Sequence, residues 1–164
     1  MILNYNDLAK KLPPEMFWHS CVMKNNLFSK IIYDIKPIRA VEIGTYFGVS
    51  TAILASICDI VYTFDIKFYP ETQRIWKLFK VKNKINYNLV KDTDETKEIL
   101  KSLSFDFAFV DSVHEYQEAK RDFEAVKRCG KVLFHDNNDN FIGVKNFCSE
   151  IKCKTIGDFG YWEK

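Results

Sequence analysis

Residues 41–50, VEIGTYFGVS, constrain the fold of this chain more than any other segment. An apolar run leads into Glu42 and Gly44, Gly48 follows four residues later, and Ser50 opens a further apolar stretch at helical spacing. As local structure this is a buried strand, a tight turn and the start of a helix. Glycine has no Cβ, so such a turn lets a ligand come up against backbone amides. About 20 residues further on, a second apolar segment, VYTFDI, ends on the acid Asp65. Strand, glycine turn, helix and a strand ending in an acid make a nucleoside-binding arrangement, with the acid offered to ribose hydroxyls.

At 164 residues the chain can bury one good core but not two ordinary ones. A net charge of +2 gives no electrostatic reason to expect nucleic acid or an anionic membrane as partner, and the basic run 77–84 reads as a solvated helix end. No apolar run reaches the roughly 18 residues that a membrane span requires. The N-terminal segment lacks the charged start and apolar centre of a signal peptide, so the expected location is cytoplasmic. Five cysteines (Cys21, Cys58, Cys129, Cys148 and Cys153) form no CxxC pair, and their odd number suits buried thiols better than a disulfide framework. Cys148 and Cys153 are spaced so that they could meet.

Residues 1–34 read as a helical appendage to an α/β domain over 35–164. Asp7 is placed to cap a first helix ending near Pro13, and Pro14 to begin a second. Phe17, Val22, Leu27, Ile31 and Ile32 are candidates for the buried face of that second helix. Beyond it, strand signals at 39–43, 60–65, 85–90, 105–111 and 131–135 alternate with helix signals at 49–56, 71–79, 95–103, 116–127 and 141–151. Two short strands, 155–157 and 161–163, are expected at the end. FAFV and VLF are continuously apolar, as strands become when helices cover both faces of a parallel sheet. The expected fold is therefore α/β, a single Rossmann-like, mostly parallel sheet with flanking helices.

These motifs carry a family resemblance. The Glu42–Gly44–Gly48 segment resembles the first cofactor-binding motif of class I S-adenosylmethionine-dependent methyltransferases, and GTYFG differs from the GxGxxG of dehydrogenases. The stretch FDFAFVDSVHEYQEAKRDFEAVKRCGKVLFHDN is similar to the small-molecule O-methyltransferase branch, which acts on sugars, catechols and related hydroxylated compounds. The resemblance runs from Ile38 to Lys164. It implies backbone around Gly44, Thr45, Tyr46 and Gly48 against the methionine part of S-adenosylmethionine. Glu42 would orient that loop or meet the amino group through water. Ser50 would cap the next helix or bond the cofactor carboxylate. Asp65 would accept from both ribose hydroxyls, and Asp92 and Thr93 would lie beside the adenine. Lys91 stands where the family has a glycine. In a plainer reading, Asp92 only caps its helix.

Asp111 and Asp136 end the fourth and fifth strands, and parallel strands direct both ends toward one crevice. With Asn137 they offer a hard oxygen set suited to Mg²⁺ or Mn²⁺. In the divalent-metal O-methyltransferases that the segment resembles, matching residues chelate the ion beside substrate oxygens. The alternative for Asp111 and Asp136 is helix capping and a tight DNNDN turn. His114, in DxxH with Asp111, is the preferred general base over His135, since it lies in a loop and imidazole titrates near neutrality. His19 has no motif around it. The expected activity is methyl transfer to a hydroxyl of a small, sugar-like metabolite. Its alternatives are a catalytically inactive cofactor- or partner-binding domain and an NAD-dependent oxidoreductase. Phe159, Tyr161 and Trp162 suit core or dimer packing, which leaves a homodimer open.

Overall fold

In the computed structural model, residues 2–3, 5–13 and 26–164 are described. Seven strands form one sheet in the order β3-β2-β1-β4-β5-β7-β6. The strands are β1 (Arg39–Ile43), β2 (Ile60–Asp65), β3 (Ile85–Leu89), β4 (Phe107–Val110), β5 (Lys131–Phe134), β6 (Lys154–Ile156) and β7 (Phe159–Glu163). The first five are parallel, and β7 runs antiparallel to both β5 and β6. The helices are α1 (Tyr5–Ala9), α2 (Leu27–Ile35), α3 (Val49–Ile57), α4 (Pro70–Leu78), α5 (Thr93–Leu100), α6 (Tyr116–Val126) and α7 (Ile142–Glu150).

Alternate strand residues feed two cores, one on each face. Ala40, Phe107, Phe109 and Leu133 join one core with Ile53 and Trp76, while Val41, Val110 and Phe134 join the other with Phe123 and Phe147. Leu3, Leu8, Leu12, Phe28, Ile31 and Ile32 also belong to the first core, and the Leu3 amide donates to Ser56 Oγ at 3.0 Å. The described part of segment 1–34 therefore packs directly under the sheet.

Local chemistry accounts for the boundaries. Pro70 sits in the first turn of α4, where its missing N–H costs no helical bond. The Asp92 carboxylate caps α5 by accepting from the Glu95 amide at 2.9 Å. Asp7 lies within the first turn of α1 and so does not cap it. The remaining expectations for the N-terminal segment, the helix start at Pro14 with Phe17 and Val22, and the placement of His19 and Cys21, lie outside the described residues. The expected strands ran one residue past β3, β4 and β5, and the ladder explains why. The amides of Val90, Asp111 and His135 still donate to Asp65, Ile43 and Val110 of the neighbouring strands.

Cys58, Cys129, Cys148 and Cys153 are free thiols, with the Cys153 amide donating to the Cys148 carbonyl at 2.8 Å. Among the described residues, no helix is long and apolar enough to cross a membrane.

Candidate active site

The carboxyl ends of β1, β2, β3, β4 and β5 open onto a cavity of about 620 Å³. Its floor is the glycine turn after β1. Gly44 has φ 94°, and a Cβ there would lie 2.0 Å from the Asp111 carbonyl oxygen, so the turn closes only around glycine. Gly48, at φ 74°, caps α3, and its carbonyl accepts from Trp76 Nε1 at 2.9 Å. Between them Tyr46 holds a left-handed conformation with φ 47°. Its ring packs on Phe47 and meets Tyr69 edge-on at 4.9 Å.

Two acids shape this turn from behind. Asp65 Oδ2 accepts from the amides of Thr45 (3.0 Å) and Tyr46 (2.7 Å), and Oδ1 accepts from Lys67 (2.8 Å). Glu42 is fully buried beneath it and accepts from the hydroxyls of Ser50, Thr51 and Thr63 at 2.6, 2.5 and 2.6 Å. Thr63 spends its proton on Glu42, so in the 2.6 Å contact between Thr45 and Thr63 the donor is Thr45. A relay of hydroxyls thus links the turn to the buried acid. Burial pushes the Glu42 carboxyl up to about 7, with the three hydroxyl bonds pulling the other way.

Across the cavity, Asp111 and Asp136 follow β4 and β5. His114 Nε2 lies 2.7 Å from Asp136 Oδ2. His135 Nδ1 lies 3.0 Å from Asp111 Oδ1 and 3.3 Å from Asp136 Oδ2. The His114 ring also rests on Phe141, with centroids 4.2 Å apart. One donor atom from each of Asp111, His114 and Asp136 falls within 4.8 Å of the other two.

With this geometry in view, the sequence can be set beside known proteins. The profile of a family described as a methyltransferase domain matches residues 41–137, which runs from the first strand through the Asp136 turn and covers more than half of the chain. The chain belongs to this methyltransferase family. Its fold is shared by a Staphylococcus aureus structure assigned to the caffeoyl-CoA O-methyltransferases (TM-score 0.75, 16% identity, covering 99% of this chain and 93% of that one). An O-methyltransferase of Streptomyces achromogenes involved in tomaymycin synthesis, solved with S-adenosylmethionine, superposes at TM-score 0.66 and 16% identity, covering 90% and 82% of the two chains. A Bacillus cereus O-methyltransferase in complex with S-adenosylhomocysteine gives 0.64 and 16%, covering 94% and 80%. No curated protein sequence matched.

The methyltransferase brings most of the expected residues to one place. Gly44, Thr45, Tyr46, Gly48, Ser50, Asp65, Asp92, Thr93, Asp111, His114 and Asp136 all line the cavity. Three expectations change. Glu42 does not line it and acts from beneath the turn, which matches the orienting role and not contact with an amino group. Ser50 does not cap α3, whose N-cap is Gly48, and its hydroxyl proton is committed to Glu42. Asn137 leaves the Asp111–Asp136 group altogether. Asp136 adopts φ 59°, and the following side chain turns under β7, where Asn137 Nδ2 donates to Thr155 Oγ1 (3.2 Å) and the Phe159 carbonyl (3.4 Å). His114 takes the third position instead.

Electrostatics separate the two histidines. Burial works against a charged His135, yet the two carboxylates win and push its imidazole up to about 10. The Asp136 hydrogen bond raises His114 as well, against the opposing pull of burial. Burial would raise Asp136, but the two imidazoles prevail and hold it below the ordinary carboxylate range.

Sequence reasoning passed over His135 as a strand residue and set Asp122, with Lys120, Glu124 and Lys127, on the outward face of its helix, whereas the structure buries it. Asp122 is 2% exposed and accepts from Thr93 Oγ1 at 2.9 Å and Ser112 Oγ at 2.5 Å. A charged residue at the apolar spacing of α6, beside Ala119, Phe123 and Val126, was the available signal.

Proposed function

We propose that this methyltransferase moves a methyl group from S-adenosylmethionine to a hydroxyl of a small, polyhydroxylated metabolite. The observation that carries the reading is one cavity with a glycine turn at one side and the Asp111–His114–Asp136 group at the other. The turn supplies the close backbone approach that a nucleoside-linked amino acid needs, and Asp65 supplies acceptors for ribose hydroxyls. Support for this cofactor comes from the fold relatives solved with S-adenosylmethionine and S-adenosylhomocysteine.

The transfer is an in-line displacement. An acceptor oxygen forms a bond to the sulfonium methyl carbon, the C–S bond breaks with its electron pair going to sulfur, and S-adenosylhomocysteine leaves. The hydroxyl proton needs a destination. In neutral His114 with Nε2–H donated to Asp136, Nδ1 is the basic atom. It takes the proton, and Asp136 then stabilises the imidazolium. Alignment of the two substrates on one rigid sheet end supplies the rest of the acceleration.

The same side chains suit a divalent cation, because two carboxylate oxygens and one imidazole nitrogen lie within ligand reach of a common point. Asp111, Asp136 and His114 would hold it, and Asn137, turned under β7, would not. Such an ion, when bound, acts as a Lewis acid that lowers the pKa of an acceptor hydroxyl. An imidazole in the set shifts the preference from Mg²⁺ toward Mn²⁺ or another transition metal. In that arrangement His114 is a ligand and not the base.

Calorimetric titration with S-adenosylmethionine, S-adenosylhomocysteine and NAD tests the cofactor. Saturable binding of the first two alone is expected, and binding of NAD alone would overturn the reading. Turnover of sugar and phenolic acceptors with and without EDTA then decides between His114 as base and His114 as ligand. Cofactor binding with no turnover on any acceptor would leave a binding domain that has lost its chemistry.

A further inference from the structure

Asp122 has no part in the chemistry described above, yet it is a buried carboxylate with both oxygens in use. Its partners belong to two different turns. Thr93 opens α5 just beyond β3, next to the capping Asp92, and Ser112 follows Asp111 at the end of β4. Both turns line the cavity. In the sheet, β2 and β1 stand between β3 and β4, so no ladder hydrogen bond sets the distance between these turns. Among the described residues, Asp122, rooted in α6, joins them through its two carboxylate oxygens. The neighbouring Arg121 adds an exposed tie from α6 to Asp94 of α5 at 3.4 Å.

Apolar side chains stand beside both turns in the wall of the cavity. Val90 follows β3, Ile66 follows β2, and Val113, half exposed, follows Ser112 after β4. A flat heteroaromatic ring needs two apolar surfaces held at a fixed separation, with polar groups at its edge. From this geometry we infer that Asp122 is a positioning residue for the cofactor: by holding Thr93 and Ser112 together it sets the spacing of the two turns that flank the nucleobase. The inference rests on the S-adenosylmethionine reading above.

A carboxylate suits the task better than an apolar residue of similar size. It accepts from two hydroxyls at once, which fixes both turns through one rigid group. Burial raises the Asp122 carboxyl and the two hydroxyls counter that rise, so the clamp and the ionised acid stabilise each other.

The test uses calorimetry with two probes, S-adenosylhomocysteine and 5′-methylthioadenosine, which keeps the base, ribose and sulfur but lacks the amino-acid tail. Asp122→Ala should weaken both by the same factor, about tenfold or more, because charge-assisted hydrogen bonds are the strong kind. Asp122→Asn retains the shape and can bond both hydroxyls after they rotate, so it should recover to within about threefold of the wild type. Thr93→Val and Ser112→Ala each remove one arm and serve where Asp122→Ala does not fold. Each should weaken both probes, and the double variant should fall short of the product of the singles. Wild type that binds neither probe overturns the cofactor reading and this inference with it. Wild type that binds both, with folded variants unchanged, overturns the inference alone. So does weakening of S-adenosylhomocysteine without weakening of methylthioadenosine, which would place the effect at the amino-acid end.

Discussion

Glu42→Gln isolates the energetic cost of the buried acid beneath the glycine turn. Burial lifts the Glu42 carboxyl from 4.5 to about 7 in the folded protein. An acid with a raised folded pKa keeps its proton in the native state after the unfolded chain has released it. Its contribution to stability is therefore fully present below pH 4.5 and is lost as pH rises toward 7, after which the loss is constant. A shift from 4.5 to about 7 corresponds to roughly 3 kcal/mol in all, of which about 2.5 kcal/mol falls between pH 5 and pH 8. Glutamine has nearly the same shape and does not titrate. The three hydroxyls can rotate to serve its oxygen and its nitrogen, so the fold should survive. Urea unfolding of both proteins, followed by tryptophan fluorescence at pH 5 and pH 8, gives two stability differences. Other titrating groups act equally on wild type and variant and cancel in the comparison. Wild type should lose about 2.5 kcal/mol relative to Glu42→Gln over that interval. A difference that stays constant within about 0.5 kcal/mol would refute the account of Glu42 as a buried acid held against its own desolvation.

Gly44→Ala should prevent closure of the turn, since the added Cβ meets the Asp111 carbonyl at 2.0 Å; the readout is loss of soluble protein or of S-adenosylhomocysteine binding. Trp76→Phe removes the indole bond to the Gly48 carbonyl and should cost about 1 kcal/mol in urea unfolding, with cofactor affinity reduced as the α3 cap loosens. Asp65→Ala should weaken S-adenosylmethionine binding and also free the Thr45 and Tyr46 amides, visible as faster hydrogen exchange at those two positions. If His114 is the base, its raised pKa places the rising limb of the pH–rate profile above the usual imidazole value of about 6.5, and Asp136→Asn should move that limb to lower pH.

The sheet was legible because its strands advertise themselves. FAFV and VLF are continuously apolar and VYTFD ends on an acid, and the structure places β4, β5 and β2 on those segments. The glycine turn was legible for the same local reason, since Gly44 and Gly48 occupy positions that only glycine fills without strain. The rest depends on contacts that sequence spacing hides. Glu42 meets Ser50, Thr51 and Thr63, and Asp122 meets residues ten and 29 positions away, in turns that only the folded sheet brings together. Asn137 was misplaced because one left-handed residue, Asp136, redirects the chain after β5, and an aspartate there signals a turn without telling its hand. His114 replaces it through a loop whose path no periodicity encodes.

Three of the four acceptor positions of Asp65 are already taken before any ligand arrives. Thr45 and Tyr46 fill both lone pairs of Oδ2, and Lys67 fills one of Oδ1. A ribose hydroxyl could add at Oδ1, but one aimed at Oδ2 would have to displace a backbone donor, so capture of a nucleoside through both oxygens would be in part an exchange. The same carboxylate that would receive a nucleoside thus keeps the turn in shape while the cavity is empty, with one acceptor position held in reserve.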